Sequence, residues 1–334
     1  MALNLDRKSQ LLAGFVLLLA AGCAAPRQTA SQAESPPAPY VRAAHDPDGT
    51  TKLEVAVRSL TPARGRGATL WLVGVTHLGT AEYYGQLQRF LDEQALVLFE
   101  GVGATNKSFA RQHGADFNLQ AALAKALGLE FQLQTIDYNR PHFQNSDLTV
   151  AELSRILSNA TPRDAPGPGG QAAPGEERGG TELDALLDAM QGSGFLGALA
   201  RITVAVLEAS PRLQAATRVL LVEVLSGLPN DLPQMPGLPS GFQNLLRVLI
   251  EERNLKVVED VRRAVQTKPR PRSIAIFYGA GHMTDLETRL RRTLGYQPGE
   301  ERWLTALAVS PQHAGLSEWE LNLVRSWVRH QLAR

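Results

Sequence analysis

The sequence predicts an α/β protein: a mixed, largely parallel central sheet flanked by helices. Three observations predict it. Short apolar runs at 69–73, 95–99 and 273–278 have the length and residue types of buried strands. Segments with apolar residues at helical spacing separate them. Each run also passes directly into Gly, Glu or His, the kind of strand ending that open α/β sheets use to hold ligands.

Length and composition set the frame. With 334 residues, 44% of them hydrophobic, the chain makes one large domain or two small ones, at roughly 100–200 residues each. A single cysteine excludes a disulfide scaffold, and the composition excludes a collagen-like or wholly disordered chain. No apolar run reaches the roughly 18 residues of a membrane span, so a polytopic membrane protein is excluded too. Loss of residues 1–22 would remove Asp6, Arg7 and Lys8 and leave no net charge. A neutral chain has no general attraction for nucleic acid or anionic lipid.

Residues 1–22 read as a lipoprotein signal peptide. Arg7 and Lys8 form a short basic region, and Leu11 to Ala21 is an apolar run ending in small residues. Cys23 follows Ala20-Ala21-Gly22, which resembles a bacterial lipoprotein cleavage box, with Ala20 where leucine is usual. Acyl chains on Cys23 would anchor the protein to a membrane without a transmembrane helix. Ala24 after the cysteine points, by resemblance, to an outer-membrane lipoprotein facing the periplasm. A non-lipidated secretory signal is the alternative. Residues 23–50, rich in Ala, Pro, Ser and Gln, read as a flexible tether, and 51–334 as the folded domain.

Within that domain, Lys52 to Leu60 alternates Leu53, Val55 and Val57 with Glu54 and Arg58, the pattern of a half-buried edge strand. Strand 69–73, a helix over 81–94 carrying Tyr84, Leu87 and Leu91, and strand 95–99 make a βαβ unit. Asp116 caps a helix running to Leu127, with Gly128 at its end, and Phe131 to Tyr138 is a third strand. Residues 159–180 hold four Pro and six Gly and read as a disordered surface insertion. Residues 182–227 form apolar helices that cover a sheet face, and Leu228 to Pro239 is a loop. A long helix spans 242–266, strand 273–278 follows, and Trp303 to Ser310 is the last strand. Ser317 and Glu320 form a capping box for the final helix.

The chemistry lies at the strand ends. Strand 69–73 runs into Gly74-Val75-Thr76-His77, strand 95–99 into Glu100-Gly101, and strand 273–278 into Gly279-Ala280-Gly281-His282. If these strands are parallel neighbours, His77, His282 and Glu100 converge at the carboxyl edge of the sheet. The glycines are expected to let the backbone turn sharply there and aim each imidazole. Two imidazoles and a carboxylate can hold a divalent transition metal and leave positions open for water and substrate. Arg253 and Asn254 interrupt the apolar stripe of the long helix, and a buried arginine needs an anionic or carbonyl partner. Arg253 then either positions Glu100 or stabilises an oxyanion, or it belongs to a purely structural ion pair. Asn254, Asp137 and His142 are substrate-binding or supporting candidates. A nucleotide site is not expected, because neither Gly-x-Gly stretch has its third glycine.

Assembled, these residues resemble the TraB/GumN family, whose eukaryotic relatives include the Tiki proteases. The resemblance rests on Gly74-Val75-Thr76-His77 with Leu78-Gly79, on Leu98-Phe99-Glu100-Gly101, on Glu252-Arg253-Asn254 and on Gly279-Ala280-Gly281-His282-Met283, across residues 68–310. It implies the fold of ChaN-like and erythromycin-esterase-like proteins and a metal-dependent peptidase in which both histidines and the glutamate bind or serve the metal. The insertion and the lipoprotein-like start depart from the family's simplest pattern. The expected function is therefore a lipid-anchored, metal-dependent hydrolase acting on peptides or proteins, with Mn²⁺, Co²⁺ or Zn²⁺ on His77, His282 and Glu100. Glu100 is alternatively the general base beside a two-histidine site. Two other readings stand beside it: a lipoprotein that sequesters a peptide, haem or metal without turnover, and a metal-free esterase using a His/Glu pair.

Overall fold

The computed structural model describes residues 35–65, 67–101, 119–160, 204–235 and 240–332. Cys23 and the signal peptide, Asp116 and residues 161–180 of the expected insertion lie outside them.

The elements follow in chain order. Strands β1 (Val41–His45), β2 (Thr51–Pro62), β3 (Thr69–Val75) and β4 (Leu78–Gly79) lead into helix α1 (Ala81–Asp92) and strand β5 (Leu96–Phe99). Helix α2 (Leu119–Ala126) precedes β6 (Glu130–Phe131), a single helical turn (Gln132–Thr135), β7 (Phe143–Asn145) and α3 (Val150–Ala160). Then come α4 (Pro211–Gly227), α5 (Ser240–Arg247), a π-helical turn (Val248–Glu252) and α6 (Arg253–Gln266). Strand β8 (Ser273–Gly279), helix α7 (Met283–Leu294), β9 (Tyr296–Val309) and α8 (Glu318–Leu332) complete the chain.

The expected mixed, largely parallel sheet between helices is present. Its order is β1-β2-β3-β8-β5-β7, with β9 along the other side of β2. Strands β3, β8, β5 and β7 are mutually parallel, whereas β1, β3 and β9 meet β2 antiparallel. Val75 pairs with Gly279, and Phe99 with Phe277, so the four parallel strands end at one edge of the sheet. Alternate side chains of these strands go to opposite faces. Val73, Val97, Phe99 and Phe277 pack with Tyr84, Leu87 and Leu91 of α1, while Leu72, Leu98, Ile276 and Tyr278 pack with Val257 and Val261 of α6 and Leu286 of α7. Burial on both faces explains why the central strands read as continuous apolar runs.

Four expectations need correction. Strand β2 is interior: β9 runs along one side, and β1 and β3 follow one another along the other. Its alternating polar residues have protein partners instead of water. Arg58 is buried, bonds Glu301 at 2.6 Å and the carbonyls of Ala38 and Pro39 at 2.7 Å each, and stacks over Tyr40. The domain accordingly begins before residue 51, with Tyr40 buried and β1 paired inside the expected tether. Phe131 to Tyr138 is not a sheet strand. Phe131 closes a two-stranded ladder with Leu78, and the chain then coils into a helical turn. The fourth parallel strand is instead the three-residue β7. Finally, the long helix contains a π-helical turn just before Arg253.

Other expectations agree. Ser317 and Glu320 bond reciprocally at the start of α8 (2.8 and 3.3 Å), and Gly128 ends the turn after α2 with φ +60°. Among the described residues no helix is long and apolar enough to cross a membrane.

Candidate active site

Four parallel strands deliver four polar groups to one edge. His77 follows β3, Glu100 follows β5, Asp147 follows β7, and His282 ends the short 3-10 turn after β8. Arg253 reaches the same place from the first residue of α6. His77, Glu100, Arg253 and His282 all line one cleft of about 590 Å³.

Arg253 is the hub of the cluster. Its side chain is 6% exposed, and its Nε and Nη2 donate to the two oxygens of Asp147 at 2.9 and 2.6 Å. Nη2 also donates to Glu100 Oε1 at 2.6 Å, and Nη1 to the carbonyl of Leu249 at 3.3 Å. The only loose contact is Nη1 with His282 Nε2, at 3.5 Å. Of the five N–H donors of the guanidinium, four have oxygen partners among the described residues, and the fifth faces His282 Nε2 at the limit of hydrogen-bond distance. Arg253 is therefore a positioning residue that holds Glu100 and Asp147. Arg253 and Asn254 follow a π-helical turn and, three and four residues after Ile250, lie on the buried side of the helix.

Glu100 is fixed from two directions. Oε1 meets Arg253, and Oε2 accepts from the backbone N–H of Gly279 at 2.8 Å. Burial pushes this carboxyl up, but His282, Arg253 and His77 and the Gly279 amide outweigh it and bring the pKa down to about 2. Asp147, fully buried, also accepts from the N–H groups of Gly101 and Leu148 at 2.9 and 2.8 Å. Two carboxylates against one guanidinium leave one negative charge in excess. A buried excess of this kind calls for a cation or a proton.

Both histidines are oriented by side-chain amides. Asn254 spends both of its N–H donors, on His282 O at 3.1 Å and Asp285 Oδ2 at 2.9 Å. Its Oδ1 therefore faces His282 Nδ1, 2.8 Å away, and the proton sits on that nitrogen. Nε2 carries the lone pair, 3.5 Å from Arg253 Nη1 and 3.8 Å from Glu100 Oε1. Burial first, and Arg253 as well, lower the His282 pKa against the opposing pull of Glu100 and Asp147, which keeps the ring neutral. His77 repeats the device on the cleft rim. Gln132 donates through Nε2 to Tyr138 OH at 2.9 Å, so its Oε1 meets His77 Nδ1 at 3.0 Å. Imidazoles held this way, by the nitrogen remote from the reacting centre, are the usual arrangement of metal-binding histidines.

Two imidazoles anchored through Nδ1, an ionised glutamate and an unbalanced negative charge fit a divalent cation chemically, although Arg253 Nη1 stands 3.5 Å from one Nε2. No three His, Cys, Asp or Glu side chains among the described residues stand close enough to form a ready-made metal centre.

The glycines work differently from the expectation. Neither Gly74 nor Gly279 has a positive φ. What matters is the missing Cβ: one on Gly74 would lie 3.0 Å from Val55 Cγ1 and 3.2 Å from Ala56 O, and one on Gly279 would lie 3.3 Å from Glu100 Oε2.

Asp137 and His142 do not join the site. Asp137 caps its own exposed loop, bonding Asn139 N at 2.9 Å, and His142 contacts the carbonyl of Leu91 at 3.2 Å. Both precede β7, so they lie toward its amino end, away from the reactive edge. The strand expected at 131–138 would have brought them there. The real strand brings Asp147, which sequence reasoning missed because Phe143-Gln144-Asn145 has no apolar run. Gln132 was missed for the same reason, having been placed inside a strand. Compared with family models, with curated proteins and with solved structures, the chain finds no match.

Proposed function

We propose that this chain is a metal-dependent hydrolase of the TraB/GumN kind, acting on peptides or proteins and carried to the cell envelope by a lipidated Cys23. One observation carries the reading: two imidazoles from neighbouring parallel strands have Nδ1 fixed by an amide oxygen and Nε2 left for the cleft that Glu100 also lines. His77, His282 and Glu100 would hold the ion. When bound, a divalent ion such as Mn²⁺, Co²⁺ or Zn²⁺ supplies a water of lowered pKa and polarises a carbonyl.

The chain's own groups do the rest. Glu100 is ionised at neutral pH and cannot drift, because Arg253 and the Gly279 N–H grip separate oxygens. His282, neutral and fixed by Asn254, offers Nε2 as an acceptor. Arg253 takes no part in bond making; it holds Asp147 and keeps Glu100 charged in a buried site. The test is metal content by plasma mass spectrometry on the full chain purified without a His tag, beside His77→Ala and His282→Ala. Near-stoichiometric transition metal, lost in both variants together with peptide hydrolysis, is the expected result. A folded wild type that neither carries nor takes up Mn²⁺, Co²⁺ or Zn²⁺ overturns it.

A second reading draws on the separation of the donors. In a metal-free hydrolase, His282 Nε2 accepts the proton of the attacking water, and Asn254 keeps the tautomer correct for that task. Hydrolysis that survives strong chelation would favour it over the first.

A further inference from the structure

The reacting groups occupy only part of the cleft. Leu123 of α2, Leu221 and Leu225 of α4, Leu228 and Leu232 of the following loop, and Leu249 of the π-helical turn line the rest. All six are half-buried, and their apolar surface faces this concave space. Such surface gains most from being covered by a ligand of like polarity.

Two of these leucines sit against the reacting groups. Leu232 packs on the turn that carries His282, its Cδ1 only 3.2 Å from where a Cβ on Gly281 would stand. Leu249 precedes Arg253 by one turn, and its carbonyl accepts from Arg253 Nη1. Among the described lining residues the only permanently charged side chains are Glu100 and Arg253, and these are paired with each other. A charged side chain seated among these leucines, away from that pair, would lose its water and find no partner on the wall.

We propose that this leucine wall is the specificity subsite. It takes an aliphatic or aromatic side chain next to the bond to be cleaved, so the substrates are peptides with a neutral apolar residue at that position. This rests on the hydrolase reading above for the cleavage but not for the binding.

The test separates the two. Fluorophore-labelled pentapeptides Gly-Ala-X-Ala-Gly, amidated at the carboxyl end, with X as Leu, Phe, Ala, Lys or Asp, are titrated into the full chain. Anisotropy reads binding, and chromatography reads cleavage. Leu and Phe are expected to bind on the order of 10- to 100-fold more tightly than Lys or Asp. Leu225→Asp should abolish that preference. Leu228→Asn, on the loop, gives a second and milder variant if Leu225→Asp does not fold. Equal affinities across the series, no measurable binding of any peptide, or a preference that persists unchanged in the folded variants overturns the proposal. A preference in binding without cleavage of any peptide sinks the hydrolase reading and leaves the apolar subsite standing. Cleavage indifferent to X does the reverse.

Discussion

The two histidine-bearing turns share a spelling and differ in setting. His77, at the end of β3, is exposed on the cleft rim, whereas His282, after β8, is 7% exposed and packed between Asn254, Arg253 and the ring of Tyr278. Both have an amide oxygen on Nδ1, so the orienting device is common to the pair. What surrounds it is not. The rim histidine can exchange a lost partner for water, while the buried one cannot. The lesson is that a repeated motif encodes the same local chemistry twice but makes one copy structural as well as functional.

The strongest way to break this comparison is through the buried side. Arg253→Ala leaves Glu100 and Asp147 without their counter-charge, and removing one partner of a buried pair costs about 3–5 kcal/mol. The midpoint of urea unfolding should fall accordingly, and a midpoint within error of wild type would show that the cluster is solvated. Next come the orienting amides. Asn254→Ala should lower metal affinity or hydrolysis by about 10- to 100-fold, the usual loss when a supporting partner of a ligand histidine is removed. Gln132→Ala should cost less, because water can reach His77. Equal losses would erase the distinction between the two turns.

The glycines sharpen it further. Gly74→Ala drives a methyl group against Val55 and the Ala56 carbonyl, a backbone atom that cannot yield, and should destabilise by about 1–3 kcal/mol. Gly279→Ala presses only on the Glu100 carboxylate and should show less in thermal melting than in activity.

The smallest effect is read from pH. His282 has its folded pKa below the ordinary 6.5, so the unfolded chain takes up a proton that the folded chain refuses. Its contribution is complete above about pH 6.5 and is lost as pH falls below that value. Glu100, lowered from 4.5 to about 2, adds a further loss across that lower window. His282→Gln should remove the upper step from a plot of urea midpoint against pH. An upper step that survives in His282→Gln belongs to another group.

How much of this was legible depends on how each element announces itself. The runs Leu70-Trp71-Leu72-Val73 and Ile274-Ala275-Ile276-Phe277 are buried on both faces and have no polar residue to hide them. The residues that follow them could therefore be placed at one edge before any strand pairing was known. Arg253 was legible because a charge on a buried helical stripe breaks the period. Asp147 was not, because β7 pairs through backbone alone over three residues of mixed polarity. Arg58 misled in the opposite sense. Alternation marks which side chains are polar, and an arginine saturated by Glu301, Ala38 and Pro39 looks in sequence like one facing solvent.

The π-helical turn also has a consequence for insertions and deletions. An α-helix advances about 100° per residue, so the one surplus residue in Val248–Glu252 rotates everything before it by that angle relative to everything after. Deleting a single residue such as Glu251 would let α5 and α6 merge into one regular helix with an unbroken hydrogen-bond ladder. The same deletion would bring Leu249 and Arg253 from four positions apart to three, a spacing that still shares one helix face. The irregularity is thus the point in this helix where one residue can be lost and the hydrogen-bond ladder can close over the gap.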